Sequence, residues 1–231
     1  MKQTIRSAAV IAGFLLAGCA TYQMHVSPDE DTASTAGGEV VHKIFLVGDA
    51  GEASEAQRDN LALMTDQLKA FGGSATVLYL GDNIYPEGMP PEKDTFPEVV
   101  LKDLDKSRPV AEAALMPQIQ AVLDAGSDVE GYFVPGNHDW KKGKASGLRQ
   151  IRRQEKFIEE NGEGIVRMLP ENGCPGPEVV EIGDDLVLLL IDTQWWLHNW
   201  SREKEINEDC DAQSRLDFLA ALKDEVGDNK D

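Results

Sequence analysis

The sequence predicts an α/β layered domain. Three observations predict it: apolar, β-rich runs alternate with stretches of helical spacing, three of those runs end in Gly-Asp or Gly-Asn, and no internal repeat interrupts the alternation. The first run, "VVHKIFLV" at 40–47, stops at Gly48-Asp49, as expected of a strand buried on both faces. Ser54, with Gln57 three residues later, resembles a capping box, and Leu61, Met64, Leu68 and Phe71 then recur at helical spacing before Gly72-Gly73. "ATVLYL" at 75–80 is a second strand and ends in Gly81-Asp82. Residues 86–109 hold five prolines and many charges, which reads as an irregular surface excursion. A helix is expected over 111–125, kinked or begun by Pro117. "YFV" at 132–134 is the third strand. Residues 147–160 read as a charged helix, "EVVEI" at 178–182 and "LVLLLID" at 186–192 as strands, and Ser214 to Val226 as a closing helix with an apolar stripe of Leu216, Leu219 and Leu222.

At 231 residues the chain suffices for one substantial domain. A net charge of −19 repels nucleic-acid backbones, so no nucleic-acid-binding surface is expected, and it favours cations. Residues 1–18 read as a signal peptide: Lys2 and Arg6 precede an apolar stretch too short to span a membrane, and small residues precede Cys19. Leu16-Ala17-Gly18-Cys19 resembles a bacterial lipobox, which implies cleavage before Cys19, lipid on its sulfur and a membrane-anchored protein in the periplasm or on the cell surface. Residues 19–39 read as a flexible tether and 40–231 as the folded domain. Cys174 and Cys210 remain; an exported compartment permits them to pair, and the sequence leaves that open.

In open α/β sheets, functional groups gather beyond the carboxyl ends of the strands. Asp49, Asp82 and the Asn137-His138-Asp139 group each occupy that position on a different strand. Turn chemistry accounts for Gly136 and Asn137, but it does not require His138 or Asp139. Asparagine, histidine and aspartate all ligate metals or move protons, so the three places together make a candidate metal site.

The stretches "VGDAGE" (47–52), "GDNIY" (81–85) and "GNHD" (136–139) resemble the calcineurin-like metallophosphoesterases, in particular the purple acid phosphatase branch with its GDxG, GDxxY and GNHD motifs. The resemblance implies a four-layer αββα sandwich around two metal ions and the hydrolysis of phosphate esters. It further implies that Asp49 binds the first metal, Asp82 bridges both, Tyr85 adds a phenolate to the first and Asn137 an amide oxygen to the second. His138 is then the proton donor to the leaving group, with Asp139 orienting its ring. Gly51 stands where the wider family carries a histidine ligand, and Tyr85 makes up for it; a tyrosinate favours ferric iron, so the expected pair is iron with iron, zinc or manganese.

The resemblance also implies downstream histidine ligands, whereas the histidines here are at 25, 42, 138 and 198. The domain is therefore expected to be incomplete at its C-terminal end, and the competing reading is a non-catalytic lipoprotein that serves as a binding or interaction module. Trp195, Trp196 and Trp200 suit packing against a neighbouring layer better than a substrate wall. "KKGK" at 141–144 is either a solvated basic loop or an attractor of phosphate. Substrate, monoester or diester preference and oligomeric state are not encoded legibly.

Overall fold

Four strands pair in parallel in the order in which the chain makes them: β1 (His42–Val47), β2 (Ser74–Tyr79), β3 (Val129–Phe133) and β4 (Val166–Met168). Crossovers between parallel strands are right-handed, so a sheet that grows in one direction places every connecting helix on the same face. The helices α1 (Glu55–Phe71), α2 (Leu101–Leu123) and α3 (Gly147–Asn161) follow β1, β2 and β3 in turn. Their buried residues, among them Leu61, Leu68, Leu115, Ile119 and Ile151, form one core with Val77, Tyr79 and Phe133 of the sheet. The side chains that alternate with these, Leu78 and Tyr132, form a second core with Val180 and Leu190. Those two residues belong to an antiparallel ribbon of β5 (Glu178–Ile182) and β6 (Leu186–Leu190). The protein is thus an α/β fold, a four-stranded parallel sheet with flanking helices and a β-ribbon across its other face. This computed structural model describes residues 39–92, 101–144, 146–184, 186–197 and 208–228. The expected signal peptide, Cys19 and its lipid, His25, His198 and Trp200 lie outside the described residues.

Helix α1 carries the expected caps: Ser54 Oγ accepts from the Gln57 backbone N–H, and Gly72 closes the helix in the left-handed region. The Gln57 side chain does not complete a capping box, because its amide is spent on the carbonyls of Ala50 and Ala114.

Three expectations are corrected. β1 is not buried on both faces: it is an edge strand, and Val41 and Leu46 are 79% and 65% exposed. The stretch 86–109 is not irregular throughout, and Pro117 does not start the helix; α2 begins at Leu101 and runs through Pro109 and Pro117. Proline removes one ladder hydrogen bond and disturbs the turn before it. Here the buried face of Ala111, Leu115, Ile119 and Val122 holds the helix on the sheet, and the Ala114 carbonyl next to the interrupted ladder accepts from the side-chain amides of Gln57 and Gln118. The third correction concerns α5 (Arg215–Asp228), where Leu216 and Leu219 face solvent and Phe218 is the buried residue. Phe218 packs on Trp195 and Trp196 of the short helix α4 (Thr193–Leu197), so these tryptophans seat a helix.

Cys174 and Cys210 form a disulfide, with Cα atoms 5.4 Å apart and a sequence separation of 36. Closing a loop of that length in the unfolded chain stabilises by about 4 kcal/mol in the chain-entropy account. Among the described residues no helix is long and apolar enough to cross a membrane.

Glu155 of α3 is buried and accepts from the Asn172 backbone N–H at 2.6 Å, which fixes the turn after β4. Burial pushes its carboxyl up to about 7, against the lowering effect of that hydrogen bond. A folded-state value above the unfolded one favours the folded state fully below about pH 4.5, and that contribution is lost as the pH rises through about 7. Glu155→Gln keeps an acceptor for Asn172 and removes the charge. Its thermal midpoint is expected to exceed that of the parent at pH 8, by roughly 2–4 °C per kcal/mol recovered, and to approach it at about pH 5. Melting curves at the two pH values check this.

Candidate functional site

Because β1, β2 and β3 end level with one another, at Val47, Tyr79 and Phe133, the loops that follow them emerge side by side. Backbone contact between those loops is close enough to exclude side chains. A Cβ on Gly51 would lie 2.5 Å from the Asp82 carbonyl oxygen, so this position has no room for a histidine. A Cβ on Gly136 would lie 2.2 Å from the Asp82 amide nitrogen.

Asp139 locks the second and third loops together. Fully buried, its carboxylate accepts from the backbone N–H groups of Asn83, Ile84 and Gly136 and from the Asn83 side-chain amide, at 2.8–3.1 Å. Burial pushes this carboxyl up to about 6, and the backbone hydrogen bonds oppose the rise. The expectation that Asp139 orients the His138 ring is therefore corrected: every one of its described partners is a backbone or asparagine N–H. The ring is held instead by the Pro86 carbonyl, 2.7 Å from Nδ1, and by the edge-on ring of Tyr85 at 4.4 Å between centroids. A carbonyl only accepts, so Nδ1 carries a proton and Nε2 is left to act.

Asp82 lies between these loops and solvent. Its Oδ1 accepts from the His138 backbone N–H at 2.9 Å, and its Oδ2 lies 3.2 Å from the Tyr85 hydroxyl. The same hydroxyl donates to Asp49 Oδ1 at 2.7 Å. Burial, and then the two carboxylates, push the phenol well above its ordinary range, so it keeps the proton it donates. Asp49 and Asp82 both adopt left-handed backbone, φ 55° and 54°, which costs an L-residue with a Cβ on the order of 1–2 kcal/mol. Asn137 is exposed at the rim.

Asp49, Asp82, Tyr85, Asn137 and His138 are thus brought together, and Asp139 lies beneath them. Among the described residues no three His, Cys, Asp or Glu side chains converge on one point. The convergence here is of two carboxylates and a phenol, all oxygen donors suited to hard cations. Beside Asp49 a cleft of about 510 Å³ opens between the end of β1 and the start of α1, lined in part by Val47, Ser54 and Met64.

Supporting residues went unrecognised in the sequence. Fully buried Gln118 donates to the carbonyls of Ala50 and Asn83, one from each acidic loop, at 3.2 and 2.9 Å. Its signal was a polar residue at helical spacing within the apolar stripe 111, 115, 119 and 122. Asp192, after β6, accepts from Trp140 Nε1 at 2.6 Å and from the Trp195 backbone N–H at 2.9 Å, tying the ribbon's exit to the residue after Asp139. Burial pushes its carboxyl up to about 7. Next to Pro86, Lys144 bonds Glu87 at 2.5 Å, and that hydrogen bond, with the fields of Lys144, Lys141 and Lys142, holds the Glu87 carboxyl below its usual range despite partial burial.

No family model matches the chain, and no curated protein matches it. A solved structure that does match is that of a universal stress protein in complex with cAMP, at 14% identity and a TM-score of 0.24, covering 56% of this chain and 98% of that one. At that TM-score the likeness carries no argument about this chain. Membership of the calcineurin-like metallophosphoesterases and of their purple acid phosphatase branch, with a lipoprotein signal peptide, is corrected by these findings, which bring neither; the chain is assigned to no family.

Asp139→Asn places an amide donor against a ring of N–H groups. It is expected to cost about 2–3 kcal/mol of unfolding free energy, measurable by urea titration. Gln118→Leu leaves the Asn83 carbonyl short of a partner, and a loss of about 1–3 kcal/mol by the same measurement is expected.

Proposed function

We propose that the chain hydrolyses phosphate esters with two metal ions held at the Asp49, Asp82, Tyr85 and Asn137 cluster, iron paired with iron, zinc or manganese. One observation carries this reading: the Tyr85 hydroxyl stands within 3.2 Å of carboxylates from two different loops, so three oxygen donors share one place that a cation can occupy in exchange for the phenol proton. Asp49 and Tyr85 would hold a ferric ion, Asp82 would be shared between the two ions, and Asn137 would offer its amide oxygen to the second. When bound, the ions neutralise charge on phosphoryl oxygens and acidify a water.

The residues' own contributions follow from their hydrogen bonds. The Pro86 carbonyl holds the Nδ1 proton of His138 and Nε2 has no hydrogen-bond partner among the described residues, so a protonated ring would donate from Nε2 to the leaving oxygen and stay in place as it does so. Asp82 fixes His138 through its backbone N–H, which couples the proton donor to the shared ligand. Asp139 acts at one remove, holding the loops that carry both. For the fold, we read the β5–β6 ribbon as part of the second sheet of an αββα sandwich; its packing across the sheet face opposite the helices supports that reading.

The test is hydrolysis of p-nitrophenyl phosphate by the metal-stripped chain resupplied with iron, zinc or manganese. Activity is expected to return with metal. Asp82→Asn is expected to abolish stoichiometric metal binding, and His138→Ala to keep the metal and lose about 10²–10⁴-fold in kcat. Metal binding without turnover would favour a binding module, and full activity in Asp82→Asn would exclude this site.

A further inference from the structure

Lys141 and Lys142 follow His138 and Asp139 closely and wrap the same turn. The Lys141 amide donates to the His138 carbonyl at 2.8 Å and the Lys142 amide to the Asn137 carbonyl at 2.6 Å. Both lysines hold a φ of 53°, where glycine is at ease and a Cβ is not. Gly143, next in the chain, shows that glycine serves this turn as well, at φ 68°. A loop that only had to reverse direction gains nothing from two strained lysines. Strain of this kind in non-glycine residues often gathers at functional sites; Asp49 and Asp82 share it here, and so do Ser146, Glu163 and Asn172 outside the cluster.

The charge distribution points the same way. On a chain with a net charge of −19, three lysines fall within four positions. Glu87, the neighbour of the carbonyl that holds His138, pairs with Lys144. Lys141 donates to Ser146 Oγ at 3.3 Å, and neither it nor Lys142 has an ion pair among the described residues. Two positive charges therefore belong to the turn that carries His138, close enough to Glu87 to act on its carboxyl, and they oppose the repulsion that an anion meets on approach.

We propose that Lys141 and Lys142 form a subsite for a second anionic group of the substrate, so that the site takes phosphate esters bearing a further carboxylate or phosphoryl group. This rests on the phosphoesterase reading, which already assigns the scissile group to the metal cluster and His138. The preference arises from paired charge at an exposed rim, so it is modest in size and screened by salt.

Calorimetric titration of the manganese-loaded chain with phenylphosphonate, 4-carboxyphenylphosphonate and 1,4-phenylenediphosphonate tests it without requiring turnover. At least one doubly functional probe is expected to bind about three- to tenfold more tightly than phenylphosphonate, with the excess shrinking as salt rises. Which of the two does so tells whether the added group is a carboxylate or a phosphoryl. In the variant carrying Lys141→Gly and Lys142→Gly the excess is expected to vanish while the thermal midpoint does not fall, since glycine relieves the backbone. Equal excess in parent and variant, no excess in the parent, or no binding of either doubly functional probe would overturn the subsite. A chain that shows the lysine-dependent excess but never hydrolyses p-nitrophenyl phosphate would retain the subsite and lose the hydrolytic reading.

Discussion

One buried carboxylate holds the carboxyl end of the sheet together. The loops after β2 and β3 turn back sharply and leave backbone N–H groups pointing inward, where water cannot reach them, and each would cost roughly 1–3 kcal/mol if unpaired. Asp139 answers Asn83, Ile84 and Gly136 at once, and its own charge is tolerable there only because four donor groups surround it. The positions of Asp82 and His138 and the backbone of the lysine turn all depend on that closure.

Much of the strained backbone also lies at this end of the sheet. Asp49, Asp82, Lys141 and Lys142 sit in left-handed conformations at the mouths of three neighbouring loops, each at a cost that glycine would avoid. Core packing offsets that cost from beneath: Tyr79 stacks on Phe133 at 4.2 Å, its hydroxyl bonds the Gln118 carbonyl, and the Gln118 amide holds both acidic loops. A rigid floor carrying a strained rim describes the energetics better than a uniformly stable domain does.

The strands, the caps of α1 and the convergence of the acidic turns were legible in the sequence because each is local: alternation, a serine before a helix, a glycine and an acid at the end of an apolar run. What was not legible depends on partners distant in the chain. "VVHKIFLV" reads as a central strand, and only its place at the edge of the sheet leaves Leu46 exposed. Two prolines argue against a continuous α2, and only the sheet beneath its buried face shows why the helix persists. Asp139 reads as a partner for the adjacent imidazole, yet its donors come largely from residues 83 and 84, which pattern and spacing do not connect to it. Three short stretches resembled a family's motifs and drew attention to these loops, while no family model and no curated protein matches the chain.

The order β1-β2-β3-β4 has a temporal meaning as well as a spatial one. Each strand pairs with the one made just before it, so the sheet can be laid down progressively from its first edge as the chain is synthesised, with little waiting for distant sequence. The site cannot be laid down so gradually. Asp49 and Asp82 are present after two strands, but their loops stay unlocked until the third strand delivers Asp139 and the turn behind it. The arrangement proposed to hold metal should then form abruptly with the third strand, and a chain arrested before that point would carry the acidic residues without the architecture that draws them together.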